Sequence, residues 1–478
     1  MRNSFGRVPA SSSRGDRRIA VLADSDTRWK WGALTAHRLA PDHLPTGYLL
    51  RGRATPTARQ LGEVGVETAA GTGDGTPGPT EVTCAEFLAE IAPGRDRHDV
   101  VVLALVGGAV QAVLHGARAL WPDPAARPVF VTGYVGVVYE KLADGLLLRH
   151  GADLVLANSR HDAGRFRAVY EGVGADPDAV TETALPFLGG APHVPDAGRA
   201  RTVVFAVQPS VPESRADRAY LLARAAGHAR RHPDRQVSVK LRSRPGEHTT
   251  HLEEHPYQRL ADRLPGGMPA NCRLVYGNMG EVLDGADLLV TVSSTAALES
   301  LHRGIPTAVL TDLGIREALG NHHFLGSGCL ASWDQLDEGL LPRADPAWLA
   351  DQGVAPIAGP GTAARNTAAP GAVTAVPEAA ADPFDAARAR LGDLLGRAQL
   401  PPVAPYYTPI TAPGYLPGIL ARHHLAPDGT PLPGAVRPDA GRSPARRWLR
   451  AHLREVARGA YRHGVQRVAP VIRRLGEL

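Results

Sequence analysis

The sequence predicts an α/β protein with two doubly wound, Rossmann-like domains facing a central cleft and a basic helical extension at its C-terminus. Three observations carry this. Across residues 17–310, short apolar runs alternate with amphipathic stretches of helical period, the pattern of strand–helix–strand units with right-handed crossovers. The runs are nearly continuous Val and Leu rather than alternating, which suits parallel strands covered on both faces. A Gly/Pro-rich break, "LPFLGGAPHVPDAGRA" (185–200), divides the series into two halves of similar size.

The first half, expected over 17–190, opens with the strand "RRIAVLA" (17–23) and a helical stretch from Trp29. "TGYLL" (46–50), "HDVVVLALV" (98–106), "RPVFVTG" (127–133) and "ADLVLANS" (152–159) are its further strands. "VETAAGTGDGTPGPT" (66–80) interrupts them as a surface loop; no strand leads into its "GTGDG", as a phosphate loop requires. "LVGGAVQ" does follow a strand but lacks the G-x-G-x-x-G spacing of a dinucleotide site. The second half, expected over 200–340, supplies "RTVVFAV" (201–207), "QVSVKLR" (236–242), "CRLVY" (272–276), "ADLLVTV" (286–292) and "PTAVL" (306–310). Residues 351–381 read as a linker, 382–400 as a helix, 401–441 as extended proline-rich chain and 441–478 as a basic amphipathic tail.

Hydrophobic content of 44% supports sizeable cores, and 5% aromatic content makes them aliphatic. Lys30, Lys141 and Lys240 are the only lysines among 53 basic residues, so each stands out against an arginine background. Cys84, Cys272 and Cys329 are odd in number and lack metal-ligand spacing, which argues against a disulfide framework or zinc site and for a reducing compartment. No apolar segment of signal-peptide or membrane-spanning length occurs, so a cytoplasmic protein is expected. From Arg442 to Leu478 ten arginines face Glu455 and Glu477, a net +8, and the whole chain carries +5, leaving −3 on the rest. A basic tail on a mildly acidic body suggests an anionic membrane surface for the tail, at the inner face of the cell membrane, and no nucleic-acid groove through the body. An amphipathic helix packed on the body or a partner explains the same stripe.

Ligands of such folds bind beyond the carboxyl ends of the strands, and four segments there carry chemistry. In "VTVSSTAALESLHRGIPTAVL" (290–310) a strand gives way to a helix at Ser293, Ser294 and Thr295. Free N–H groups and the helix dipole favour an anion there. Capping needs one hydroxyl, whereas three point to a ligand. Glu299, one turn on, lies on the face of Thr295, where it can accept from ribose hydroxyls. In "VSVKLRSRPGEHTTH" (237–251), Lys240, Arg242 and Arg244 share one side of an extended strand end, with His248 and His251 beyond. Such a row suits a diphosphate or an anionic acceptor; a solvated basic loop explains it too. In "LADSDTRWKWG" (22–32), Asp24 and Asp26 beside Lys30 can supply a general base for an acceptor hydroxyl, or can cap the next helix. In "TGYVGVVYEK" (132–141), Thr132, Gly133 and Tyr134 form a fourth strand end, suited to contact a sugar acceptor.

"ADLLVTVSSTAALESLHRGIPTAVL" is similar to the donor-binding segment of GT-B glycosyltransferases, nearest to bacterial surface-polysaccharide transferases of the sialyl, polysialyl and CDP-glycerol types. "TGYVGVVYEKLADGLLLRHGADLVLANS" (132–159) resembles the first-domain segment of the same enzymes. The resemblance covers roughly 17–335 and leaves the last third out. It implies transfer of a sugar from a UDP, CMP, CDP or GDP donor to a polysaccharide or lipid-linked acceptor, with no other cofactor. The nucleotide would lie on Ser293–Thr295 and Glu299. The Asp-Ser-Asp of 24–26 matches the D-x-D metal signature of the other glycosyltransferase fold, but there the motif comes well into the chain, so no metal is expected here. UDP-sugar 2-epimerases share the architecture and the turn, which leaves an isomerase, or a nucleotide-binding scaffold without chemistry, as alternatives.

Overall fold

A computed structural model of the chain describes residues 17–52, 54–66, 78–94, 98–137, 141–196, 198–244, 247, 253–354 and 382–435. Two all-parallel sheets organise them. The first contains β1 (Ile19–Ala23), β2 (Thr46–Leu50), β3 (Thr80–Val82), β4 (Val100–Ala104), β5 (Val129–Gly133), β6 (Leu154–Ala157) and β7 (Val180–Glu182), in the order β3-β2-β1-β4-β5-β6-β7. Its helices are α1 (Asp26–Leu39), α2 (Ala58–Val64), α3 (Cys84–Ile91), α4 (Gly107–Leu120), α5 (Leu142–Leu147) and α6 (Arg160–Gly172). The second contains β8 (Arg201–Ala206), β9 (Arg235–Lys240), β10 (Cys272–Val275), β11 (Leu288–Thr291), β12 (Thr307–Leu310) and β13 (Leu330–Ala331), in the order β10-β9-β8-β11-β12-β13. With it go α7 (Arg215–Arg231), α8 (Tyr257–Ala261), α9 (Met279–Asp284), α10 (Ala296–His302), α11 (Trp333–Asp337) and α12 (Pro346–Asp351). Both orders reverse beside the first strand of the sheet, so each has one topological switch point: β1/β4 in the first domain and β8/β11 in the second.

The strand interiors are buried on both faces, as their unbroken apolar runs require. Alternate residues of β1 divide between two cores: Ala20 and Leu22 pack towards α3, α4 and α6, whereas Ile19, Val21 and Ala23 pack towards α1. The second sheet divides likewise, with Val203 and Phe205 against α7 and α11, and Val204 and Ala206 against α10. Removing such side chains from water at about 25 cal/mol per Å² is the main force holding each layer together.

The C-terminal segment belongs to the first domain. In α13 (Asp385–Leu395), Ala387, Leu391 and Leu394 form one apolar face that joins Phe384 and Leu400 in the core beside α1. Residues 401–435 depart from the expected extended chain. They form α14 (Leu416–Arg422), with Pro417 in the first turn, where its missing N–H is harmless, and bury Val403, Leu416, Leu420 and Leu425 against the α3–α4 face. The proline-rich approach is pinned through carbonyls, which prolines retain: Arg127 Nε donates to Pro401 O at 2.8 Å and Arg118 to Val403 O at 3.0 Å. The linker core (355–381) and the basic tail (441–478) lie outside the described residues. Among the described residues no helix is long and apolar enough to cross a membrane.

Candidate active site

Each switch point is spanned by a side chain that accepts a backbone N–H from across the crevice. In the first domain Asp24, just past β1, takes Val106 N on Oδ2 and Arg28 Nη1 on Oδ1, both at 2.9 Å. In the second, Gln208, just past β8, takes Ser293 N on Oε1 at 3.1 Å, while its Nε2 donates to Ser293 Oγ at 3.3 Å. The two crevices face each other, and side chains from opposite domains meet between them.

Asp26 opens α1, whose N-cap is Ser25 rather than either aspartate. Its carboxylate receives Arg242 Nη2 from the second domain at 2.7 Å. Burial alone would raise the Asp26 pKa, but the charge and hydrogen bonds of Arg242 outweigh it and hold the carboxyl below its ordinary value. Asp26 is therefore ionised at neutral pH, as a base must be. One turn along α1, Lys30 Nζ lies 3.4 and 3.3 Å from the two oxygens of Glu299 on α10. A third ion pair, Arg59–Glu247, joins α2 to the loop after β9, and Asn278 Nδ2 donates to Glu63 O at 2.7 Å.

The three hydroxyls of 293–295 divide their roles. Ser293 is buried, and its Oγ donates to Leu319 O at 2.6 Å, so it anchors the turn instead of facing a ligand. Ser294 Oγ accepts from Ala296 N at 3.2 Å, which is local capping. Thr295 makes no side-chain cap and points across the cleft: a Cβ built on Gly136, in the first-domain loop after β5, would come 3.2 Å from its Oγ1. Glu299 occupies the expected face of α10, with its carboxylate engaged by Lys30.

The basic row separates, because strand pairing ends at Lys240 and the chain then turns. Lys240 is only 6% exposed and donates to Leu241 O at 2.7 Å. Burial, opposed by Glu63 and reinforced by Arg242, Arg59 and Lys30, lowers its pKa to about 8. Arg242 enters the cleft, whereas Arg244 is exposed and lies over the Tyr276 ring, 5.4 Å from its centroid. His248 and His251 lie outside the described residues.

The expected acceptor contacts at β5 are corrected. Thr132 has no exposed surface and its hydroxyl donates to Leu103 O. Gly133 is required by packing, since a Cβ there would meet Leu156 O and Trp31 at 2.8 Å. Tyr134 is held between Phe166 and the guanidinium of Arg149, 4.1 Å from its ring centroid; burial raises its pKa. Arg149 is itself buried and donates to Gly133 O, Gly145 O and Leu105 O, tying together the ends of β4 and β5. Sequence reasoning missed Gln208, Arg59 and Glu247, and placed Lys30 only beside the aspartates. Its one available signal was the four-residue spacing from Asp26 in a chain with three lysines.

Among the described residues one group has metal-ligand composition, His228, His232 and Asp337. His228 Nδ1 lies 2.6 Å from Asp337 Oδ1, its Nε2 accepts from Arg235, and Arg224 and Arg231 also reach Asp337. Two guanidiniums on the carboxylate and a third on His228 oppose a cation, and the group stands beside the amino end of β9, away from the cleft.

Two parallel, doubly wound domains with facing switch points define a protein of the GT-B class. Residues 19–368 match the family described as "Putative glycosyltransferase (DUF6716)", and the chain belongs to this family. No curated protein matches it. Among solved structures, the UDP-GlcNAc 2-epimerase of Methanocaldococcus jannaschii is similar over 70% of this chain and 97% of its own, at 9% identity and a TM-score of 0.44. The glycosyltransferase SnogD of Streptomyces nogalater is similar over 71% and 93%, at 17% identity and a TM-score of 0.34. Anabaena Alr3699/HepE in complex with UDP-glucose is similar over 67% and 88%, at 12% identity and a TM-score of 0.41.

Proposed function

We propose that the chain transfers a sugar from a nucleotide-activated donor to a polysaccharide or lipid-linked acceptor in the synthesis of cell-surface polysaccharide. The observation that carries this reading is the meeting of the two domains across one cleft, an ionised Asp26 with Arg242, Lys30 with Glu299, and Gly136 beside Thr295. The nucleotide lies on the second domain, its ribose at Glu299 and its phosphates between the turn at 293–295 and Arg242. Asp26 takes the proton of the acceptor hydroxyl as that oxygen attacks the sugar carbon and the bond to the phosphate breaks. Arg242, with the buried charge of Lys240 behind it, opposes the negative charge that grows on the leaving phosphate, in the place of a metal ion. While Arg242 holds Asp26, the base is weakened; a bound phosphate competes for the guanidinium and frees the carboxylate.

A thermal-shift screen of the full chain against UDP, CMP, CDP, GDP and their sugar conjugates tests this, because a ligand of the folded state raises its melting temperature. One nucleotide should stand out, and release of that nucleotide from its sugar conjugate should require an acceptor. No shift with any of them removes the donor site. Conversion of a nucleotide sugar without any acceptor makes the protein an isomerase instead. The tail at 441–478, with its net +8, supports a place at an anionic membrane surface, each nearby cation adding about 1 kcal/mol. Full-length protein should sediment with phosphatidylserine vesicles at low salt, less so at high salt, and not after removal of 441–478.

A further inference from the structure

The cleft holds two ion pairs of opposite polarity side by side. Asp26 and Lys30 are four residues apart on α1 and so share a face. That face presents a carboxylate to Arg242 and, one turn on, an ammonium to Glu299. Resting on the donor-site reading above, we propose that Lys30 is a donor-phosphate ligand contributed by the first domain. It is stored on Glu299 until a nucleotide displaces it.

Glu299 receives Lys30 on both carboxylate oxygens, at 3.4 and 3.3 Å, and its side chain is 8% exposed. A ribose diol that reaches these oxygens has to take the place of the ammonium. The displaced group cannot travel far. Its stem is fixed on α1, and its Nζ lies 4.6 Å from the centroid of Phe187, a ring packed against cores of both domains. Attraction of the ammonium to that ring persists when the carboxylate is lost. The nearest new source of negative charge is then the phosphate attached to the same ribose. Lys30 is also close enough for its charge to be felt at Lys240, so the displaced ammonium joins a cationic neighbourhood completed by Arg242. The exchange leaves neither group without a partner: hydroxyls donate hydrogen bonds to Glu299 while the phosphate takes the cation. It also makes the donor a bridge between domains, gripped by α10 on one side and α1 on the other.

The test separates the phosphate from the nucleoside. The full chain, as wild type, Lys30→Met and Lys30→Arg, is titrated calorimetrically with UDP, CDP, GDP and CMP and with uridine, cytidine and guanosine. Met keeps the apolar stem over Phe187 and removes only the charge; Lys30→Gln replaces it should Lys30→Met fail to fold. The expected result is a loss of about tenfold in affinity for the preferred nucleotide, or about 1.4 kcal/mol. Affinity for its nucleoside should stay level or rise, because Glu299 is no longer contested, and Lys30→Arg should restore most of the loss. Unchanged nucleotide affinity in Lys30→Met overturns the proposal and leaves Lys30 as a lock on Glu299. Equal losses for nucleotide and nucleoside overturn it as well, since Lys30 would then organise the whole site. A wild-type chain that binds none of the nucleotides overturns the donor-site reading and the proposal together.

Discussion

The two switch points are alike in backbone and differ in charge, one anionic and one neutral. Both are crevices between the central strands of a parallel sheet, and both are tied by one side chain accepting an N–H from the far side: Asp24 from Val106, Gln208 from Ser293. In the first domain the tie is an anion, and a second acid, Asp26, follows it on α1. In the second the tie is a neutral amide, followed by two serines and a threonine. A dianionic phosphate is repelled by the first crevice and admitted by the second, whereas a hydroxyl awaiting deprotonation needs the first. The backbone provides two equivalent crevices, and under the proposed function a few side chains divide donor from acceptor between them.

That division can be broken most severely at Asp26. Asp26→Asn keeps the shape and a partner for the α1 terminus but removes the base, and sugar transfer should fall by about 10²–10⁴-fold, with a small fall in melting temperature from the lost Arg242 charge pair and undiminished nucleotide affinity. Equal loss of binding would move Asp26 from the chemistry to the donor site. Giving the second crevice the polarity of the first is the next test. Gln208→Glu can still accept from Ser293 N, yet it sets a carboxylate beside the phosphate, and a like charge there costs several kcal/mol. Calorimetry should show nucleotide affinity falling by about 100-fold or more, and an unaltered affinity would place the phosphate elsewhere.

Ser294→Ala with Thr295→Ala sharpens the same contrast more gently. Loss of one ligand-facing hydroxyl and one cap should weaken nucleotide binding about tenfold, at a cost in stability of about 1 kcal/mol. Denaturant unfolding beside calorimetry separates the two terms, and stability loss alone would reduce the hydroxyl run to capping. The smallest effect concerns Lys240. Its pKa is lowered by burial to about 8 from 10.5, so the fold bears the cost of the charged form in full below pH 8 and is relieved of it between pH 8 and 10.5. The charge proposed to assist a phosphate is that of the folded state, so it is lost around pH 8 itself. Nucleotide affinity should therefore fall a few-fold between pH 7 and 9 in the wild type and stay level in Lys240→Met; parallel profiles would show that the phosphate does not sense this lysine.

The central strands were legible because complete burial writes itself as unbroken apolar sequence, as in "VVVLA" of β4 and "LLVT" of β11. The edge strands β3, β7 and β13 were not: Thr80–Val82 has one buried residue in three, and Leu330–Ala331 is only two residues long. The turn at 293–295 was legible as a helix start, but periodicity does not reveal which hydroxyl faces inwards; packing against Leu319 decided that for Ser293. The row Lys240–Arg242–Arg244 was drawn from strand alternation, which holds only while pairing lasts. At Thr132 to Tyr134 the polar strand end was visible, yet its partners, Leu103, Leu156 and Arg149, come from neighbouring elements. The cross-cleft pairs join residues about 190 to 270 positions apart, a separation at which local pattern carries no information.

The return of the chain to its first domain has a consequence for synthesis. A ribosome delivers β1 to β7 first, but the face of that sheet carrying Val21, Val102 and Val131 also needs Ala387, Leu391 and Leu394, which emerge some two hundred residues later. Meanwhile β8 to β13 are made, and among the described residues the helices of their domain are complete by Asp351. The domain begun first is therefore completed last, closing only when α13 and α14 leave the exit tunnel. Until then it presents an apolar face to the cell, and a nascent chain stalled before residue 382 is the form of this protein most exposed to aggregation and to chaperones.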